Sequence, residues 1–149
     1  MRGRFHSGDG QLYACGMFAW AGSQQQPGGF YRVRATGKPA YAPVGLETAP
    51  RQVRVSFSEP LDRESTEKTG NWQIEAWDLK RTRNYGSRHY NQRRWQVTGV
   101  ALSDDGRVVT LEVPDLMPTW GMSIRCKTRG EGGAEVVREI HNSVHNIGK

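Results

Sequence analysis

Val53-Arg54-Val55-Ser56-Phe57-Ser58-Glu59-Pro60-Leu61-Asp62 alternates apolar and polar side chains until a proline breaks the pattern. The same alternation returns in Leu102-Ser103-Asp104-Asp105-Gly106-Arg107-Val108-Val109-Thr110-Leu111-Glu112-Val113 and again in Met122-Ser123-Ile124-Arg125-Cys126-Lys127. A period of two, bounded by turn residues, marks strands with one buried face and one wet face. Working outward from these three stretches, strands are expected at Val44 to Thr48, Gln52 to Phe57, Trp72 to Asp78, Trp95 to Leu102, Val108 to Val113, Gly121 to Thr128 and Glu135 to Val144. Asp62 is placed to cap a single helical turn before Thr69-Gly70-Asn71 returns the chain to strand. Asp104-Asp105-Gly106-Arg107 reads as a hairpin turn, because Gly106 takes a positive φ without steric cost. Seven short strands at this spacing predict an all-β protein, an immunoglobulin-like β-sandwich.

Upstream of the sandwich, Gln11-Leu12-Tyr13-Ala14-Cys15-Gly16 and Gly29-Phe30-Tyr31-Arg32-Val33-Arg34-Ala35 read as an N-terminal pair of extra strands, joined by a Gln, Gly and Pro loop from Gly22 to Gly28. The chain therefore divides into N-terminal strands over 1–36, a Pro- and Gly-rich connector over 37–50 and the sandwich over 51–149. Two strands do not make a stable sheet. They must pair with the sandwich, with another copy or with a larger protein.

The 149 residues suffice for one ordinary domain with a core of its own. Lys and Arg number 21 against 15 Asp and Glu, a net charge of +6. Such a balance favours anionic partners but selects none of them. No apolar run is long enough to span a bilayer, so no membrane insertion is expected, and the basic start Met1-Arg2-Gly3-Arg4 lacks the apolar core of a signal peptide. Cys126 shares strand parity with Met122 and Ile124. A bridge between Cys15 and Cys126 would stabilise by about 3 to 5 kcal/mol but requires adjacent β-carbons, and two buried free thiols are the expected state.

Val55-Ser56-Phe57-Ser58-Glu59-Pro60-Leu61-Asp62, Asn71-Trp72 and Leu102 to Leu111 resemble the bacterial immunoglobulin-like repeat of surface-layer and other exported proteins. Gly8-Asp9-Gly10-Gln11-Leu12-Tyr13-Ala14-Cys15-Gly16, Gly28-Gly29-Phe30-Tyr31-Arg32-Val33-Arg34-Ala35-Thr36-Gly37-Lys38-Pro39, Trp77-Asp78-Leu79-Lys80-Arg81-Thr82 and Tyr85-Gly86-Ser87 are similar to the C-terminal region of large exported bacterial proteins with a sugar-dehydrogenase-like β-propeller, often joined to c-type haem domains. That resemblance implies that the first segment closes the last propeller blade and that the remainder is the immunoglobulin-like domain after it. It implies a periplasmic or extracellular location as part of a parent protein, and a propeller domain or another protein surface as partner. The departures are as informative. The sequence has no Cys-x-x-Cys-His for haem, and no cluster of ligands for calcium or quinone, so none of the family's catalysis carries over. No catalytic residue, cofactor or metal site is expected.

Lys80 to Trp95 is the one stretch that reads as more than scaffold. Basic Arg81, Arg83, Arg88 and Arg93 are interleaved with Tyr85, His89, Tyr90 and Trp95. Cations attract phosphate or carboxylate while aromatic faces stack on bases or sugar rings, so the stretch can be a recognition loop for a polyanion, either acidic polysaccharide or nucleic acid. The plainer reading is an insertion whose tyrosines pack on the sheet while its arginines stay solvated, since charge runs are usually solvated faces. Tyr85-Gly86-Ser87 is a third possibility, a contact that docks this domain on the propeller. His141 and His145 fall in an extended segment, where a four-residue spacing separates the rings by about 13 Å and no single ion is shared. Trp72, Trp77, Trp95 and Trp120 are expected to supply core or interface area. The resulting expectation is a non-catalytic accessory and interaction module, with free-standing polyanion binding through loop 80–95 as the alternative.

Overall fold

The computed structural model describes residues 2–16 and 28–148. It resolves into two compact units, Met1–Lys38 and Pro39–Lys149. In the first, β1 (Arg2–Phe5), β2 (Leu12–Gly16) and β3 (Gly29–Val33) form an antiparallel sheet in the order β1-β2-β3. The strand at Arg2–Phe5 adds to the pair read from the sequence. Its four residues are too few to display a period, and two of them are arginines. The loop expected at Gly22 to Gly28 lies, but for Gly28, outside the described residues.

Register makes this small sheet two-faced. Phe5 pairs with Leu12 and Leu12 with Val33, while Gly3 pairs with Ala14 and Ala14 with Tyr31. Opposed residues share a face, so one side is wholly apolar. On the other, Arg4, Tyr13 and Arg32 lie in one row, and Tyr13 stacks on Phe30 at 5.7 Å. Cys15 shares that second face and is exposed, contrary to the burial expected of it, because strand parity puts it on the face opposite Leu12 and Ala14 and a small sheet buries little on either side.

The second unit is the sandwich. Its strands are β4 (Pro43–Ala49), β5 (Gln52–Phe57), β6 (Trp72–Asp78), β7 (Tyr90–Trp95), β8 (Gly99–Leu102), β9 (Val108–Glu112), β10 (Thr119–Arg129) and β11 (Glu135–Val144). One sheet runs β4-β5-β9-β8 and the other β11-β10-β6-β7. Lettered A, B, C, C′, D, E, F and G along the chain, these are the ABED and GFCC′ sheets of an immunoglobulin-like sandwich. The residues that alternate inward fill the space between the sheets: Val53, Val55 and Phe57 of β5, Val109 and Leu111 of β9, Ile74 of β6, and Met122, Ile124 and Cys126 of β10 are all buried. Burial pushes the Cys126 thiol up from its ordinary pKa.

Trp95 to Leu102, expected as one strand, is two. β7 pairs with β6 and β8 pairs with β9, so the chain changes sheets between them. Thr98 donates its amide to Glu112 O at 2.9 Å as it arrives, and Val97 turns into the core. The apolar pattern continues through this crossing because both sheets face the same core, so alternation alone could not reveal it.

One end of the sandwich is closed by α1 (Arg63–Thr66) and a further helical turn at Thr69–Asn71. Asp62 caps the first, accepting from the Ser65 amide at 2.8 Å. Trp72 Nε1 donates to Thr66 O at 2.8 Å, and the Thr66 and Thr128 hydroxyls lie 2.8 Å apart, so the buried polar groups of this plug are satisfied. At the β8–β9 turn Gly106 has φ 70, and the Asp105 carboxylate accepts from the Ser103 hydroxyl and the Arg107 amide.

Bonds from Ser65 lower the Asp62 carboxyl below its ordinary pKa, and bonds from Ser103 and Arg107 do the same for Asp105. Groups with depressed folded values contribute stability above their unfolded pKa of about 4, and lose it as pH falls through the folded value. The melting temperature is therefore expected to drop as pH falls below about 4, and Asp62→Asn, which keeps a good cap but does not titrate, should make that drop shallower. Thermal melts followed by circular dichroism across that range test both statements.

Candidate binding site

The segment 79–89 joins β6 to β7 at the end of the sandwich opposite α1. Its base is fixed by Asp78, whose carboxylate accepts from Asn91 Nδ2 at 2.9 Å and from the Arg93 guanidinium at 3.4 Å. Asn91 turns the chain back with φ 49, and its hydrogen bond, with the Arg93 charge, lowers the Asp78 carboxyl. Within the loop the Lys80 amide donates to Ser87 Oγ at 3.0 Å, and that hydroxyl donates to Arg88 O at 2.9 Å. Lys80 Nζ lies 4.6 Å above the Tyr90 ring.

The returning end of the loop is held on the outer face of the sheet. Trp77 points outward by strand parity, yet it is only 9% exposed. His89 stacks on it at 4.1 Å with an interplanar angle of 13°, and His141 meets it edge-on at 6.5 Å. Its indole lies over Gly121 of the neighbouring strand, where a β-carbon would collide with the ring. The absence of a side chain at Gly121 thus creates the seat for Trp77, and Trp77 creates the seat for His89.

Beyond this clamp, the 79–82 and 84–87 stretches of the loop and Trp120 line an open recess of about 700 Å³. Trp120 is 59% exposed and lies in the irregular stretch of β10, where the register shifts between Thr119 and Met122. His145 packs edge-on against it at 5.8 Å, and Ser143 Oγ donates to its carbonyl at 2.7 Å. Tyr85 is fully exposed at the loop tip, and Leu79 is exposed on the wall. No acidic side chain lines the recess.

The eight residues singled out from the sequence fall into three groups. Arg81 and Tyr85 line the recess, and Arg83 and Arg88 stand exposed on the same loop. His89 and Tyr90 form its return, one stacked on Trp77 and the other covered by Lys80. Arg93 and Trp95 belong to the scaffold. The former bonds Asp78 and Thr119, and the latter is buried opposite Ile74 in β7. The stretch expected as loop up to Trp95 therefore ends at His89. Among the described residues Arg81, Arg83 and Arg88 make no ion pair, whereas Arg63, Arg93, Arg107 and Arg125 each have an acidic partner.

Sequence reasoning placed Trp120 with core or interface aromatics and did not connect it to the loop. The Trp120-Gly121 pair inside an alternating strand was the available signal, since glycine in a strand marks a bulge or a close approach. His141 and His145 each face a tryptophan. Among the described residues no group of three or more His, Cys, Asp or Glu is placed to hold a metal ion, and no helix is long and apolar enough to cross a membrane.

No family model and no curated protein matches the chain. Among solved structures, the crystal structure of the S-layer protein rSbsC is similar to it, with a TM-score of 0.50 and 15% identity, over 69% of this chain and 13% of that protein. The structure of surface layer protein SbsC, domains 1-6, gives a TM-score of 0.47 at 15% identity over 67% of this chain and 12% of that one. At such identity the likeness to rSbsC bears on the fold alone. The chain is comparable to a small fraction of that protein's length.

Proposed function

We propose that this chain is a non-catalytic immunoglobulin-like accessory module that docks on a partner protein through its N-terminal sheet, the partner being the propeller of an exported oxidoreductase. The supporting observation is the apolar face that this sheet presents among the described residues. Phe5 is 75% exposed and Tyr31 and Val33 are each 51% exposed, and no described residue before Tyr41 is buried. A sheet that buries none of its own apolar side chains gains little by folding alone, and a contiguous exposed patch of this kind is a contact surface. The identity of the partner rests on the sequence resemblance to propeller-linked proteins. The test is whether the reading frame upstream of this chain encodes a propeller, followed by calorimetric titration with that domain; an upstream frame without a propeller refutes the reading. Binding is expected, with a loss of at least about tenfold on Phe5→Asp combined with Val33→Asp, since each change places a charge in a desolvated contact. No binding, or equal binding by the double variant, refutes the reading.

A second reading, polyanion binding by loop 80–95, is favoured by a separate observation. Arg81, Arg83 and Arg88 stand without acidic partners around exposed Tyr85, in a segment with no Asp or Glu between Asp78 and Asp104. Solvated charges gathered beside an aromatic surface are complementary to an anion that also presents a flat apolar face.

A further inference from the structure

The recess at the loop tip differs in its lining from the other large cavity of the sandwich. The other large one, about 660 Å³ between Asp62 and Glu135, holds charges of both signs that neutralise one another, as in Lys68 with Glu64 at 3.0 Å and Lys127 with Glu135 at 3.5 Å. The loop recess has cations and aromatic walls, and no acid lines it. We propose that it binds a short segment of a carboxylate-bearing oligosaccharide, with Trp120 and Tyr85 as walls for the sugar rings and Arg81 as the carboxylate's partner. The proposal rests on the polyanion reading above and narrows it to one site and one class of ligand.

Three observations carry the choice of ligand. First, about 700 Å³ lies within the range of roughly 300 to 1,000 Å³ typical of small-ligand sites, enough for a few rings and too little for a long strand. Second, one face of a pyranose carries only C–H groups, which pack on an indole or phenol by dispersion and apolar burial, while its rim needs hydrogen-bond donors and acceptors. The Asn84 amide lines the recess and has no partner among the described residues, so it is free to meet a sugar hydroxyl. Arg81 makes no ion pair there, and its planar fork suits a carboxylate.

Third, the surroundings disfavour nucleic acid. A single strand needs a cationic track along several nucleotides, with aromatic rings spaced along it. Here Tyr85 and Trp120 converge on one recess instead of being spaced along a track.

The test titrates the 149-residue protein at low salt with an oligogalacturonate, a neutral cello-oligosaccharide and single-stranded DNA, followed by calorimetry. The oligogalacturonate is expected to bind, Trp120→Ala and Arg81→Gln each to weaken it by at least about tenfold, and the neutral sugar to bind at least about tenfold more weakly. Both side chains are exposed, so unchanged melting temperatures are expected and serve as the folding control. Binding of DNA without binding of the oligogalacturonate overturns the sugar assignment and leaves the polyanion reading standing. Binding of neither ligand removes both. Oligogalacturonate binding that is indifferent to Trp120→Ala places the site elsewhere, and equal affinity for the neutral sugar removes the role given to Arg81.

Discussion

Ile74→Ala is expected to destabilise the sandwich by about 2 to 5 kcal/mol, the largest effect of any single truncation considered. Ile74 is fully buried at the centre of β6, opposite Ile124 on one side and Trp95 on the other. Removing its three outer carbons forfeits their transfer free energy and leaves a void that two paired strands cannot close, because each is fixed by its ladder to the next. A domain of this size has a total stability of only about 5 to 15 kcal/mol. The variant should therefore lose a substantial share of its margin, read as a fall in the urea midpoint with little change in slope. A midpoint equal to that of the unaltered protein would mean that Ile74 does not lie between the two sheets.

Gly121→Val is the second large effect, and it couples packing to the site. Any side chain at Gly121 meets rigid atoms of the Trp77 ring, and that ring is confined from its other side by His89. The indole must leave its seat, at the cost of about 1 to 3 kcal/mol typical of overpacked positions. With Trp77 displaced, the His89 stack is lost and the 79–89 loop keeps the Asp78 bonds to Asn91 and Arg93 and the contact of Lys80 with Tyr90. Amides of the loop should then exchange faster than those of β6 and β10, and tryptophan emission should shift to the red. Trp120→Ala is the matching control, since that ring is mostly exposed and takes no part in the Trp77–His89 stack. If Gly121→Val melts like the unaltered protein and the loop exchanges no faster, the Trp77 clamp does not exist.

Several elements were legible because they depend on neighbours in sequence. β5, β6 and β11 begin and end where alternation and turn residues place them, and Asp62 caps the helical turn expected of it. The Asp105-Gly106 turn is likewise local, since glycine's freedom at positive φ is a property of one residue. What escaped was every feature that depends on which sheet a strand joins. The crossing at Gln96 to Thr98 is invisible to a two-residue period, because Trp95 and Val97 enter the same core from different sides of it. The pairing of Tyr90–Trp95 with β6 likewise makes Arg93, expected in the loop, part of the scaffold, and sets Trp95, expected to begin a strand, at the end of one.

The candidate site shows the same division more sharply. Composition alone put cations and aromatic residues together in one segment without acids, and that much is a statement about the chain's own order. Trp120 stands more than thirty positions further along, and only the pairing of β10 with β6 brings it to the loop. The two-faced character of the N-terminal sheet likewise follows from register, which opposes Phe5 to Leu12 and Leu12 to Val33. The order of residues alone determined the strand-rich class, the turns, the cap and the basic loop, because each arises from covalent geometry and side chains a few positions apart. Tertiary structure alone decided which tryptophans became core, clamp or recess wall, because burial is a property of what lies opposite, and opposition is created only when distant strands pair.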